Sequence, residues 1–151
     1  SKFFLTMDVK AQLFKCGFSV ERGMIRPPRD FLKARLQADW DWHRLLAALE
    51  PEGLMDRELR RLVFKEGFWI EAGGFDARDA VTRKTFPGAA ALRKMLEEAP
   101  AGSWAGFQVF YPMSQDEVRR STGVDLIESM LAIFKEVTPA MNLCMQIHLE
   151  G

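Results

Sequence analysis

The sequence predicts an α+β fold, in which a mostly antiparallel sheet of four to five strands packs against a long central helix and three or more other helices. Three observations predict it. Two consecutive segments at the start alternate in polarity, later segments repeat apolar residues at helical spacing, and strands and helices do not alternate strictly. No internal repeat or low-complexity linker divides the chain, so residues 1–151 are expected to form one domain.

The chain begins with two predicted strands. The first has apolar residues at every second position, at Phe3, Leu5, Met7 and Val9, and the second repeats this period at Phe14, Cys16, Phe18 and Val20. A short helix over residues 10–14 is the competing interpretation of the connection. A loop is expected over residues 21–28, which contain a glycine and two consecutive prolines.

Residues 28–49 are the predicted central helix. At helical spacing they show two apolar rows, one with Phe31, Ala38, Trp42, Leu45 and Leu49, the other with Leu32, Leu36, His43 and Ala47. A surface helix usually shows one apolar stripe, so this helix is expected to be covered on more than one side. Pro51 and Gly53 end it.

The middle of the chain predicts a helix over residues 54–65, a short strand over 68–70 and a helix over 87–99. The first helix has one apolar face, made of Met55, Leu59, Leu62 and Val63. Residues 72–88 are polar and glycine-rich and are expected to form a loop. The almost wholly apolar residues 104–111 predict a strand that is buried on both faces.

The last third of the chain predicts two helices and a final strand. Ser114 and Glu117 form a capping box that starts the first helix, and the second runs from near Gly123 to about Val137, where Pro139 ends it. Its inward side chains are expected to be Leu126, Met130, Ile133, Phe134 and Val137. Residues 141–150 alternate in polarity, which predicts a strand with Leu143 and Met145 facing in and Cys144 and His148 facing out.

Composition argues against several classes of protein. The chain has 21 basic and 21 acidic residues, so no net charge attracts nucleic acid or an anionic membrane. No apolar run approaches the roughly 18 residues that a membrane span needs, and no signal peptide is evident, so a cytoplasmic protein is expected. Cys16 and Cys144 lack metal-binding spacing and do not make a disulfide scaffold, although one long-range disulfide between them is an alternative.

The central helix contains the first candidate site, the run of residues 39–43. Asp39 and His43 are four residues apart and share a helix face, but Asp41 points elsewhere, so at most two ligands converge and no metal site is predicted. The favoured interpretation is that Asp39 accepts a hydrogen bond from His43. Trp40 lies off the main stripe and is expected to be exposed, where tryptophan often anchors an interface.

Three further patterns favour structure over chemistry. Cys144 and His148 are four residues apart along a predicted strand, roughly 13 Å, which is too far for a thiol–imidazole pair. The Gly73-Gly74 loop could cradle an anion, but it matches no phosphate-binding motif and carries aspartates. The basic groups Arg57, Arg60 and Arg61 are interspersed with acidic residues, which favours a solvated helix face or an acidic protein partner over nucleic acid.

These patterns predict a small protein-binding module (an inhibitor, immunity-type protein, adaptor or regulatory subunit) that acts through aromatic and Arg-rich helix faces. The candidate binding residues are Trp40, Trp42, Asp39, His43, Arg57, Arg60 and Arg61. No catalytic residue, metal or cofactor is assigned, and a non-enzymatic role is favoured. The alternative is a small-molecule-binding domain or small enzyme, with an apolar pocket lined by Phe and Met and with Asp39 and His43 as its polar groups. Homodimerisation is compatible with either.

Overall fold

The computed structural model describes residues 1–23, 40–74 and 79–145. Its strands are β1 (Lys2–Asp8), β2 (Leu13–Arg22), β3 (Trp69–Gly74), β4 (Ala80–Val81) and β5 (Ala105–Ser114). They form one sheet in the order β1-β2-β5-β3-β4, and every neighbouring pair is antiparallel. The helices of this part of the chain are α1 (Trp40–Ala48), α2 (Leu54–Arg60), α3 (Ala89–Glu97), α4 (Gln115–Arg120) and α5 (Gly123–Met145). The predicted α+β class is confirmed.

The register of the strands separates the sheet into two faces. Phe18 pairs with Val109, and Val20 with Phe107, so these side chains share one face. They are fully buried and belong to the cluster that also contains the buried apolar residues of the helices, so we call this side the core face. The opposite side, the second face, carries Lys15, Phe110 and Glu71; Phe110 is fully buried there, outside the core cluster.

The two predicted strands at the start are confirmed as a hairpin. The connection between them is a turn and not a short helix: Asp8 Oδ1 accepts a hydrogen bond from the Ala11 amide at 3.1 Å, and Gln12 adopts a left-handed φ of 53°. An aspartate that binds the backbone three residues on stabilises a turn against a helix.

The described part of the predicted central helix forms a helix, α1. It is covered on one side and not on more than one side as predicted. Trp42, Leu45 and Leu49, from one predicted row, are buried in the core, whereas His43 and Ala47, from the other row, are exposed. Residues 28–39 of this prediction lie outside the described residues, as do most of the predicted loop over residues 21–28 and residues 75–78 of the glycine-rich loop.

The predicted helix over residues 54–65 is α2, extended by a π-helical turn over Arg61–Lys65. Its predicted apolar face is buried. The buried Asp56 carboxylate joins α2 to α3, because Asp56 Oδ1 accepts a hydrogen bond from the Ala89 amide at 2.9 Å. Gly88, which precedes α3, has no side chain that could cap the helix, so the cap comes from α2 instead.

The end of the described chain corrects the sequence-based prediction. Pro139 does not end a helix: α5 continues through it to Met145, where a strand was predicted. Cys144, predicted to face outward, is fully buried, and Met145, predicted to face inward, is 46% exposed. Residues 137, 140 and 144 are buried at helical spacing, which a strand cannot reproduce. The rest of the predicted strand, with His148, lies outside the described residues.

The long helix of the described structure is therefore α5, with 23 residues. It packs against α1, α2 and β2 and carries its inward row, Leu126, Met130, Ile133, Phe134 and Val137, towards the core as predicted. Ser114 Oγ accepts a hydrogen bond from the Glu117 amide at 3.1 Å, so the predicted cap of α4 is also present. Among the described helices, none is long and apolar enough to cross a membrane.

Candidate functional site

Of the candidate residues predicted from the central helix, the structure describes the side chains of Trp42 and His43. Trp42 is 3% exposed and belongs to the core, with the Arg22 guanidinium 5.8 Å from its ring centre. His43 is exposed. Trp40 is the first residue of α1, and Asp39 lies outside the described residues, so the predicted Asp39–His43 hydrogen bond stays a prediction.

Arg61 is engaged in contacts that fasten α2 to α5. Its Nη1 donates to Glu136 Oε2 at 2.7 Å, its Nη2 to the Glu136 carbonyl at 3.1 Å, and Glu58 accepts from the same guanidinium. The hydrogen bond to Glu136 raises the pKa of Arg61, burial opposes this, and Glu58 adds to the rise. Pro139 has no amide hydrogen to donate to the Lys135 carbonyl, and Arg61 contacts the neighbouring Glu136 carbonyl in the same turn of α5.

Arg60 and Arg57 differ from Arg61 in their surroundings. Arg60 Nε donates to Asp56 Oδ2 at 2.8 Å, and its guanidinium lies 5.1 Å from the Phe86 ring centre. Arg57 is exposed on the outer side of α2. Of the three predicted arginines, Arg61 therefore joins two helices, whereas Arg60 pairs within its own helix and contacts the segment before α3.

We expect Arg61→Ala to destabilise the protein by about 1–2 kcal/mol, because several charge-assisted hydrogen bonds between two helices are lost together. The matched control is Arg57→Ala, on the same helix but exposed, with an expected change below about 0.5 kcal/mol. Urea unfolding of both variants measures the difference. Equal stabilities would show that the Arg61 contacts contribute nothing.

Both thiols are buried and free. Cys16 lies on the core face of β2 and Cys144 on the inner side of α5. Burial raises the pKa of Cys16 to about 11 and the pKa of Cys144 to about 12. Both thiols are therefore protonated at neutral pH, which makes them poor nucleophiles and poor metal ligands.

The second face of the sheet carries a cluster that the sequence did not predict. Lys15 Nζ lies 2.7 Å from Glu71 Oε1 and 3.2 Å from Asp8 Oδ2, and 5.0 Å from the ring centre of Phe110. The lysine comes from β2, whereas the two acids come from β1 and β3. The Lys15 side chain therefore crosses the central strand β5 to reach Glu71.

The chemistry of this cluster is that of fixed charges. Burial would lower the pKa of Lys15, but the hydrogen bond and charge of Glu71, together with Asp8, outweigh it and raise the pKa. The pKa of Asp8 is lowered by the Ala11 amide and by Lys15. Lys15 is thus an ammonium and not a nucleophile. Beside it lies a concave surface of about 380 Å³, lined on one side by Phe4, Thr6 and Gln108.

Among the described residues, several exposed apolar side chains lie on β1 and on α5. We call this group the β1–α5 surface and define it by Phe3, Leu5 and Met7 of β1 and Val124, Ile127 and Leu131 of α5. These six side chains are between 43% and 67% exposed. The two halves meet at a ring contact, since the Phe3 and Phe134 ring centres are 4.7 Å apart.

Helical geometry places the exposed apolar residues of α5 on the flank nearest to β1. Phe134, which contacts Phe3, marks the boundary between the buried side of α5 and this flank. At about 100° per residue, Ile127 and Leu131 lie within roughly 60° of Phe134, on the side away from the core. The flank of α5 and the edge strand therefore adjoin at the contact between Phe134 and Phe3.

The sequence contained a signal for the β1–α5 surface. Val124, Ile127 and Leu131 are apolar but fall outside the inward row of α5, so the helix has more apolar surface than one packed side requires. The Lys15 cluster left no such signal, because Glu71 is 56 residues from Lys15 in the chain. No group of three or more His, Cys, Asp or Glu side chains that could hold a metal ion occurs in the described ranges. No protein-family model, curated protein or solved structure matches the chain.

Proposed function

We propose that this chain is a protein-binding module that uses the β1–α5 surface. The observation that carries the proposal is the group of six large, exposed apolar side chains on β1 and α5, two elements that are joined by the ring contact between Phe3 and Phe134. Single exposed apolar residues are common on soluble proteins, whereas a contiguous patch is typical of an interaction site. The proposed class of function is the one predicted from the sequence. The proposed binding surface is different: it is formed by β1 and α5 and not by the helix faces that contain the candidate Trp and Arg residues.

The edge strand supports the same function. β1 has β2 as its neighbour in the sheet, and in the part of the chain that the structure describes no strand pairs with its other side. Edge strands present unpaired backbone donors and acceptors that can accept another strand. An extended segment that pairs with β1 would place alternate side chains under the α5 flank, against Leu5 and Leu131. Recognition by strand addition combines backbone hydrogen bonds with such apolar pockets.

The predicted alternative, a small-molecule site built on Asp39 and His43, draws less support. His43 is exposed on α1, away from the buried row of Trp42 and Leu45. The concave surface next to Lys15 is lined by a different set of residues, and its lysine is already paired with two carboxylates. A binding module accounts better for the exposed apolar surface.

A photo-crosslinking amino acid placed at Leu131 tests the proposal. We expect irradiation in an extract of the source cells to join this position to a protein, which mass spectrometry identifies. With the identified partner purified, Leu131→Glu should weaken binding at least tenfold, about 1.4 kcal/mol, because a charge replaces an apolar contact. Titration calorimetry measures the affinity.

The matched control uses Ala90, an exposed residue of α3 outside the β1–α5 surface. The crosslinker at Ala90 should not label the partner, and Ala90→Glu should leave the affinity unchanged. Absence of any protein adduct at Leu131, or equal loss of affinity in both variants, contradicts the proposal.

A further inference from the structure

From the position and sequence of β1 we infer that the partner is a second copy of this chain, whose β1 pairs antiparallel with the first across a two-fold axis at Leu5. The inference rests on the proposed function, since it names the occupant of the same surface. Two sheets would join into one continuous sheet, with the α5 helices on the same side.

The first argument is that β1 is a long edge without the usual protection. It has seven residues, whereas β4, at the other end of the sheet, has two. Natural edge strands are usually short, interrupted by proline or a bulge, or charged at central positions. Residues 3–7 of β1 contain no charge and no proline, and within the described structure no strand or helix pairs with their outer side.

The second argument is that β1 is complementary to itself. With the axis at Leu5, all seven residues of β1 find a partner: Leu5 faces Leu5, Phe3 faces Met7, and Phe4 faces Thr6. The same register places Lys2 opposite Asp8 of the other copy, at both ends of the pair. Opposite charges in facing positions of antiparallel strands stabilise the pair, and like charges destabilise it.

The charged side chains are placed to make these pairs. Lys2 is 64% exposed, and its ammonium is 3.6 Å from Glu21, a distance typical of a loose surface ion pair. The Asp8 side chain is 33% exposed although it also contacts Lys15. Each end of β1 therefore keeps a charge that a neighbouring strand can meet.

The third argument is the burial that the two-fold axis produces. Because the axis is perpendicular to the sheet, both core faces point the same way, and the apolar flanks of the two α5 helices face each other above the paired strands. In this dimer the second copy covers Phe3 and Met7, and Ile127 and Leu131 contact the same residues of the second copy. One symmetric contact thus accounts for the whole β1–α5 surface.

Sedimentation velocity over a concentration series tests the inference on the intact chain. We expect a dimer for the unaltered protein and at least a tenfold higher dissociation constant for Leu5→Lys, because Leu5 lies on the axis and the substitution sets two ammonium groups opposite each other. The control is Leu54→Lys, an equally drastic change at a leucine that is 64% exposed on α2. Circular dichroism confirms that both variants fold.

A charge exchange tests the register. Lys2→Glu and Asp8→Lys each put like charges at both ends of the strand pair, so each variant alone should dimerise several-fold more weakly. Asp8→Lys also removes the contacts of Asp8 with the Ala11 amide and with Lys15, so the comparison that decides is the mixture against each variant alone. Mixed together, the two variants form a heterodimer in which every end again pairs opposite charges, and dimerisation should be restored. Failure of the mixture to associate more strongly than either variant overturns the register.

The outcomes separate this inference from the proposed function. A monomer at all concentrations, or a dimer unaffected by Leu5→Lys, overturns the second copy as the occupant. If Leu131 then crosslinks to a different protein, the proposed function stands without the inference. If Leu131 crosslinks to no protein and the chain is monomeric, both are wrong.

Discussion

Gly17→Ala is expected to cost at least about 3 kcal/mol of stability, because the neighbouring strands β2 and β5 leave no room for a side chain at this position. Gly17 pairs with Phe110 across β2 and β5. A Cβ atom on Gly17 would lie 1.8 Å from the Val109 carbonyl oxygen and 2.6 Å from the Phe110 Cα. Both obstacles are backbone atoms, so they cannot rotate away as a flexible side chain would, and the strands must separate.

The control for this prediction is Gly102→Ala, where a Cβ atom would meet nothing within 4 Å. Its stability should change by less than about 0.5 kcal/mol. Urea unfolding at neutral pH compares the two variants with the unaltered protein. If Gly17→Ala unfolds at the same urea concentration as Gly102→Ala, the close approach of β2 and β5 is wrong.

The sequence predicted the parts of the fold that depend on local pattern. The strands β1 and β2, the apolar face of α2 and the Ser114 cap of α4 are all set by residues within one element, and each is confirmed. The alternation of β1 also predicts a half-buried strand, but its apolar residues Phe3, Leu5 and Met7 are exposed. The order of the strands in the sheet does not depend on local pattern. β5 lies between β2 and β3 because of packing between distant segments, which no local periodicity contains.

The continuation of α5 through Pro139 shows where local rules fail. A proline inside a helix removes one hydrogen bond and weakens the turn before it. Here Arg61 donates to the Glu136 carbonyl from outside the helix, in the turn that precedes Pro139. Burial of Ala140 and Cys144 on the core side adds a further gain. Tertiary contacts therefore outweigh the proline, and they are invisible in the sequence of residues 141–145.

The candidate surfaces were predictable to different degrees. The exposed row of α5 could be found by counting apolar residues outside the inward row, since both rows lie within one helix. The Lys15 cluster could not, because Glu71 is 56 residues away in the chain. The sequence suggested Arg61 as a binding residue, because sequence alone does not distinguish an arginine that pairs within the protein from an arginine without an internal partner. Only the position of Glu136 distinguishes them.

Asp56→Ala should destabilise the protein by about 2–3 kcal/mol, because a buried carboxylate that makes two charge-assisted hydrogen bonds is removed. Asp56 is 3% exposed, accepts from the Ala89 amide at 2.9 Å and from Arg60 Nε at 2.8 Å. Without it, the first turn of α3 keeps an unsatisfied amide, since Gly88 supplies no cap. Urea unfolding should show the loss, and Asp79→Ala, an exposed aspartate, should change stability by less than about 0.5 kcal/mol.

The pH dependence of stability separates the charge of Asp56 from its shape. Burial alone would raise its pKa, but the hydrogen bonds from Arg60 and Ala89 outweigh burial and lower the pKa below 3.8. A carboxylate with a lowered pKa in the folded state contributes stability above its unfolded pKa, and the contribution is lost as pH falls through the folded pKa.

Asp56→Asn keeps an oxygen for the Ala89 amide but has no charge to lose. The stability difference between the unaltered protein and Asp56→Asn should therefore be constant at neutral pH and shrink below pH 3.8. Other carboxylates, Asp8 among them, titrate in both proteins and cancel in this difference. A difference that is independent of pH would mean that the Asp56 carboxylate acts by shape and hydrogen bonding alone.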